Sequence, residues 1–508
     1  MSRKGWRRIA LALGTLMLAL LVGCQSIGGF DPGKMIVNQL SVKSMESSST
    51  FELHFDWDDE ALAQQDPEAA KIADLFRTIT LKSDHAMVDK DGNIAINGEL
   101  AFAKAAIPFS LAQNADSMVL QIEGFKQPIV IQSGGGGLFP MVEEDQADNE
   151  VYQEAATKIA GELASYLFGH VSNPPVMNVE QVNESVHGES LNLTKVHAEL
   201  NGEQLGGLLT EFMTSIAKDE EGLRQLLQQV IQLATTLPPE VLEEFGFTAE
   251  EAIPTETELD EFVKELMGSF AEARDQLLAE KSSPEWNEIF NEGLTFKTDL
   301  FIDSEMNIRK SDLEIGLGAE LFKDSEIPLE GVTLHSMQET WNVNGDVEVP
   351  AADIPDNAMS LFDFYLAQPY EVLRQMDPTS KLYGLLKNDL EIDDQEFTAS
   401  YYITDDNGDI YVPLRPTLID FGIYDLTFIG KGKYIQFRDE AIQRTLQVQL
   451  GTNAAKVNGR PLQLKHEVRV VNGVGYVNAD DLFGLMGAEY SVSKDENGDE
   501  ALFVTRDL

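Results

Sequence analysis

With 508 residues, 86 acidic against 37 basic side chains and a formal net charge of −49, the chain is long enough for two or three domains. Its surface repels nucleic acid and anionic headgroups, which leaves nucleic-acid binding out and favours solubility, cations or cationic partners. Cys24 is the only cysteine, so no disulfide can form within the chain and stability must come from burial.

The chain opens on Arg3, Lys4, Arg7 and Arg8, followed by an apolar run from Ile9 to Val22 that ends in Leu21-Val22-Gly23-Cys24. A cationic head, an apolar stretch too short for a relaxed membrane span and a small residue before a cysteine read as a lipoprotein cleavage box. The chemistry needs a thiol at that point, because a diacylglycerol is attached through a thioether and the mature chain then starts at the modified residue. Residues 1–23 are therefore expected to be a signal peptide, Cys24 the lipidation site, and 24–33, with Gly28, Gly29, Pro32 and Gly33, a tether. This places the protein on the extracytoplasmic face of the cell membrane, with the membrane as a partner through the anchor.

Residues 34–355 are expected to form one α+β domain. Phe51, Leu53, Phe55 and Trp57 alternate with Glu52, His54 and Asp56, the pattern of a half-buried antiparallel strand. Asp58 to Arg77 reads as a helix or ordered excursion. Ile79 and Leu81 begin another strand, Met118 to Glu123 and Pro128 to Gln132 give two more, and Asp91-Gly92 and Asn97-Gly98 are expected to supply positive-φ turns in a meander. Gly134 to Gly137 lacks the lysine and hydroxyl residue of a phosphate loop and reads as a flexible loop.

Three amphipathic helices follow, with stripes at Leu205 to Ile216, Leu223 to Ala234 and Leu259 to Phe270. Pro238-Pro239 should stop the second, while Thr255 and Glu258 have capping-box spacing ahead of the third. Strands resume at Leu294 to Ile302, Leu313 to Leu317 and Val332-Leu334, with an Asn344-Gly345 turn. The order of strands, helices and strands predicts a twisted antiparallel sheet packed with amphipathic helices, which can also enclose an apolar cavity. Residues 356–392 read as a helical connection broken at Pro369 and Pro378.

Residues 393–508 contain an internal repeat and are expected to form a smaller α+β domain. Tyr411-Val412-Pro413-Leu414-Arg415 leads to Gly422, and sixty-five residues later Tyr476-Val477-Asn478-Ala479-Asp480 leads to Gly487, eleven residues from tyrosine to glycine in both. Each copy reads as a strand, a short helix ended by glycine and a strand pair, and a hairpin around Asn458-Gly459 precedes the second. These residues resemble the copper amine oxidase N-terminal domain, a stalk-like module common in secreted proteins of Gram-positive bacteria. The resemblance implies a Gram-positive envelope and no oxidase activity, since the stalk is separate from the catalytic domain, whose copper histidines and quinone-forming tyrosine have no counterpart here. In the second copy Asn478, Ala479 and Asp480 replace the Pro-Leu-Arg portion. Residues 34 to 350 also look like bacterial lipoproteins with a half-barrel that holds a lipid, a likeness of architecture alone.

No chemistry-bearing motif appears. The seven histidines, at 54, 85, 170, 187, 197, 335 and 466, form no HExxH and no helical metal pair, and there is no GxSxG elbow. Asp89 to Asn93 has its glycine at the fourth position of a would-be calcium loop rather than the sixth, so a hairpin turn is expected there. The sequence thus predicts a non-catalytic, lipid-anchored envelope protein without cofactor or metal, binding or scaffolding at the boundary of membrane and wall. Its partners would be cell wall, protein or an apolar ligand. The competing class is a carrier holding a lipid or other apolar ligand in a half-barrel cavity, and the third is an unrecognised extracellular hydrolase.

Overall fold

The alternation that begins at Phe51 is one strip of a much wider pattern. In the computed structural model, which describes residues 32–114, 117–132, 150–235, 254–323, 328–367, 369–392, 395–494 and 500–506, the chain divides into two units. One comprises Met1–Ile122 and Val130–Asp356, the other Glu123–Ile129 and Asn357–Leu508. Cys24 and the leader, the Gly134 to Gly137 run and Pro238-Pro239 lie outside the described residues.

The first unit is built from two antiparallel meanders. One contains β1 (Met45–Trp57), β2 (Thr78–Val88), β3 (Ile94–Phe102), β4 (Ala105–Gln113), β5 (Ser117–Ile122) and β6 (Ile129–Gln132). The other contains β7 (Val176–Val186), β8 (Glu189–Asn201), β9 (Leu294–Ile302), β10 (Ile308–Gly318) and β11 (Leu329–Trp341). The two join where β1 pairs with β11, with Phe51 opposite Ser336 and Leu53 opposite Leu334. The strand order of the resulting sheet is therefore β6-β5-β4-β3-β2-β1-β11-β10-β9-β8-β7.

Among the described residues the helices of this unit are α1 (Pro32–Leu40), α2 (Asp59–Gln65), α3 (Pro67–Leu75), α4 (Glu150–Gly169), α5 (Gly202–Ile216), α6 (Glu220–Ala234), α7 (Glu256–Glu280) and α8 (Pro284–Ile289). Their ends follow from capping chemistry. Asp66 accepts the Glu68 and Ala69 N–H groups, with Pro67 supplying a fixed φ at the start of α3. Asn201 with Gln204 and Thr255 with Glu258 form reciprocal capping boxes on α5 and α7. The α5 stripe, Leu205, Leu208, Phe212 and Ile216, packs on Leu200 of β8 and Leu294 and Phe296 of β9. Helices α6 and α7 bury Leu223, Leu226, Leu259 and Val263 against each other.

One local expectation is corrected. Asn97-Gly98 is not a turn: it lies inside β3, where the register against β2 shifts between Ser83 and His85, and a β-carbon on Gly98 would collide with the Lys82 carbonyl. The Asp91-Gly92 turn does form, with Gly92 at φ 79 and the Asp89 carboxylate accepting the Asp91 and Asn93 N–H groups, each at 2.9 Å. Helix α1 begins at Pro32, inside the expected tether, because Met35 is buried against Val196, Leu300 and Ile302.

In the second unit β12 (Met359–Ser360) leads into three short helices, α9 (Leu361–Leu366), α10 (Pro369–Arg374) and α11 (Lys381–Gly384), interrupted at the two prolines as expected. Strands β13 (Gln395–Ala399) and β14 (Ile403–Thr404) then enter the repeat. Its first copy is β15 (Ile410–Pro413), α12 (Leu414–Asp420), β16 (Leu426–Ile429) and β17 (Tyr434–Asp439). Four strands, β18 (Arg444–Gln449), β19 (Ala454–Val457), β20 (Arg460–Gln463) and β21 (Arg469–Val471), precede the second copy. That copy is β22 (Val474–Asn478), α13 (Ala479–Met486), β23 (Glu489–Lys494) and β24 (Glu500–Arg506).

The order of elements is the same in both copies. Moreover, β15 and β22 pair antiparallel with Val412 opposite Val477, so equivalent residues face each other across an approximate two-fold axis. Val412, Leu418, Leu446, Val468, Leu482 and Met486, all fully buried, lie in one core shared by the two copies. Helices and antiparallel sheets in both units make the chain α+β.

Gly422 and Gly487 follow α12 and α13 at φ 74 and φ 70, the left-handed conformation that closes a helix and that a β-carbon disfavours. Each Gly→Ala change is expected to destabilise the unit by about 1 kcal/mol in denaturant unfolding. A neutral result at both positions would contradict the equivalence of the two helix ends.

Candidate functional site

Antiparallel register fixes which side chains share a face, since directly paired residues point the same way and neighbours along a strand alternate. Leu120 pairs with Leu111, Leu111 with Ile96, Leu100 with Leu81, Leu81 with Phe51, and Leu53 with both Ile79 and Leu334. On the other side Leu334 pairs with Ile315, Ile315 with Phe296, Phe296 with Leu200, and Ala198 with Met177. One face is thus free of charge from β5 to β7, apolar at these positions and interspersed with uncharged polar residues such as Ser336 opposite Phe51 and Gln338 opposite Ser49. None of its paired positions holds Asp, Glu, Lys or Arg, although charged residues make up 24% of the chain.

The opposite face takes the charge instead. His197 lies between Asp299 at 2.7 Å and Glu199 at 3.2 Å, Lys310 pairs with Glu184 at 2.7 Å, and His335 meets Asp312 at 2.8 Å. Burial pushes the Asp299 carboxyl up, but hydrogen bonds from His197 and Lys195 outweigh it and hold the group below the usual carboxylate range.

Helical cover over the apolar face is uneven. Under α1 and α5 the side chains of β8 and β9 are buried, with Val196 at 0%, Leu200 at 5% and Phe296 at 3% exposure. Towards β1 to β3 and β11 the same face stays partly open: Phe51, Leu53, Phe55, Ile79, Ile96, Leu100, Val332 and Leu334 are only partly buried, and Leu81 is 43% exposed. The open part is an uncharged surface, mainly aliphatic and aromatic with a few serines, left partly in water, the kind of exposed patch that monomeric proteins rarely keep without a use. Local alternation marked Phe51 to Trp57 as one strip of it. Its continuity depends on the pairing of β1 with β11, which no local signal carries.

The histidines are occupied elsewhere. His54 bonds Thr78, His85 faces Glu46, His187 stacks on Trp341 at 3.7 Å, and His466 bonds Asp481. Among the described residues no group of three or more His, Cys, Asp or Glu could hold a metal ion.

His170 sits between Ser215 Oγ, 2.8 Å from Nδ1, and Asp219 Oδ2, 3.0 Å from Nε2, an arrangement that sequence spacing did not reveal. It has the members of a hydrolytic triad but not the setting. Ser215 lies in the last turn of α5, where free carbonyls rather than N–H groups point outward, so no oxyanion donors are provided there. Asp219 is also the N-cap of α6, accepting the Gly222 N–H at 2.9 Å. The trio is a polar joint of α5 and α6 with the segment after α4. Tyr166 packs against His170, its hydroxyl pushed up to about 12 by burial and the nearby Asp219 carboxylate.

Among the described residues no helix is long and apolar enough to cross a membrane. The fold defines an α+β protein with a charge-free, partly open sheet face in one unit and a duplicated module in the other. Residues 391–498 match the family model of the copper amine oxidase N-terminal domain, in agreement with the resemblance seen in the repeat. That domain is itself non-catalytic. Its region here holds one histidine, His466, whose Nδ1 is engaged by Asp481, so the residues present do not fit a copper site. No curated protein matches the chain.

Proposed function

We propose that the protein is a lipid-anchored carrier that holds an apolar ligand, of the acyl-chain type, against the open part of its charge-free sheet face. One observation supports this above all: the face that is buried under helices at β8 and β9 continues without charge into β1 and β2, where Leu81 stays 43% exposed. Leaving apolar surface in water costs about 25 cal/mol per Å². A stretch of this extent therefore favours an occupant over permanent exposure. This reverses the order the sequence suggested, in which scaffolding came first.

The cleavage box at Leu21 to Cys24 supports anchoring at the extracytoplasmic face, and the duplicated stalk-like module supports a non-catalytic role. Replacing Cys24 with Ser should abolish incorporation of radiolabelled fatty acid and release the protein or stall its processing, while undiminished labelling would remove the anchor from this reading. The carrier role is tested by extracting the purified chain with organic solvent: the expected result is an acyl-chain compound recovered in roughly equimolar amount. Recovery no greater than from a control protein purified alongside would count against it.

A further inference from the structure

The internal repeat supplies its own control for surface chemistry, because each exposed position in one copy has an equivalent in the other. In the first copy Phe428 is 59% and Ile429 38% exposed on β16, the edge strand of the β16 to β20 sheet, and Tyr424, two residues ahead of that strand, is 68% exposed. Sixty-five residues on, the equivalents are Glu489, Ser493 and Lys494. The shared fold therefore does not require apolar groups at these positions. The turns differ in the same sense. Gly430-Lys431-Gly432-Lys433 carries two exposed lysines and no acid, whereas the second copy has Asp495-Glu496-Asn497-Gly498-Asp499. Among the described residues neither lysine makes an ion pair, and Lys433 lies over the Tyr434 ring at 5.9 Å.

An aromatic and aliphatic edge beside a cationic tip, in a chain of net charge −49, complements one surface chemistry: anionic headgroups over an apolar interior. We propose that the β16–β17 hairpin docks on an anionic lipid bilayer, with Phe428 and Ile429 entering the interface and Lys431 and Lys433 meeting the headgroups. The acidic remainder of the chain opposes this only weakly, since at physiological salt charges further than about 8 Å from the surface are largely screened. Each lysine near an anionic leaflet strengthens partition roughly fivefold. This inference rests on the second unit alone and holds whether or not the first binds an apolar ligand.

The test uses the full chain with Phe428→Trp, mixed with vesicles whose acyl chains carry bromine, a contact quencher of indole. With brominated phosphatidylglycerol the emission added by the new indole should fall about twofold or more, and Lys431→Glu with Lys433→Glu in the same chain should abolish that quenching. Brominated phosphatidylcholine should leave it unquenched. An unquenched indole in phosphatidylglycerol, equal quenching in both lipids, or quenching that survives the double charge reversal would each overturn the proposal. So would a concentration-dependent blue shift without vesicles, which would make a second copy of the chain the occupant.

Discussion

Replacing Arg506 with methionine is expected to destabilise the second unit by about 3–5 kcal/mol, a large effect for a single change. The guanidinium at the end of β24 is fully buried. It donates to Asp439 at 2.5 Å and to the Met486 carbonyl at 3.3 Å, bonds Gln395, and stacks over Phe421 at 4.7 Å. Asp439, at 1% exposure, also accepts the Ala441 N–H at 3.0 Å. Methionine fills similar volume but leaves that carboxylate buried without its cation, and an uncompensated buried charge costs far more than a lost surface pair. Adding Asp439→Leu should recover much of the loss, since the stranded charge is then gone. Urea unfolding of the parent, single and double variants measures this, and a single variant within about 1 kcal/mol of the parent would show that the pair carries little.

Leu81→Lys should have the opposite profile, with a large effect on binding and a small one on folding. Leu81 lies in the middle of the open face, paired with Phe51 on one side and Leu100 on the other. Its exposure allows a lysine to extend into water, so the unfolding midpoint should hardly move. An acyl chain laid on the same spot would have to desolvate the ammonium, and affinity is expected to fall by about tenfold or more. Leu200→Lys makes the contrast: at 5% exposure under α5 it should prevent folding rather than binding.

These variants also show where the sequence was readable. Strands with one solvated face announce themselves by alternation, so β1, β9 and β10 were legible, as were α5, α6 and α7 from their stripes and the Thr255 capping box. The hairpin of β7 and β8 was not. On β7, Val176, Met177, Val179 and Val182 do not keep a period of two, and its burial comes from a neighbouring strand and from α1. The repeat was legible because a duplicated strand, helix and glycine keep their spacing. The Arg506 and Asp439 pair was hidden, since residues so far apart in sequence meet only through the tertiary path of β17 and β24. The open face required both kinds of information: alternation gave single strips, and the pairing of β1 with β11 joined them.

The joined face is proposed to bind an apolar ligand. Titrating the parent chain with a fluorescent long-chain fatty acid whose emission rises in an apolar environment tests it most directly. Saturable enhancement is expected, competed by unlabelled lipid and weakened about tenfold in Leu81→Lys at unchanged stability. A folded parent chain that gives no saturable enhancement, or a Leu81→Lys variant that binds as tightly as the parent, would contradict it.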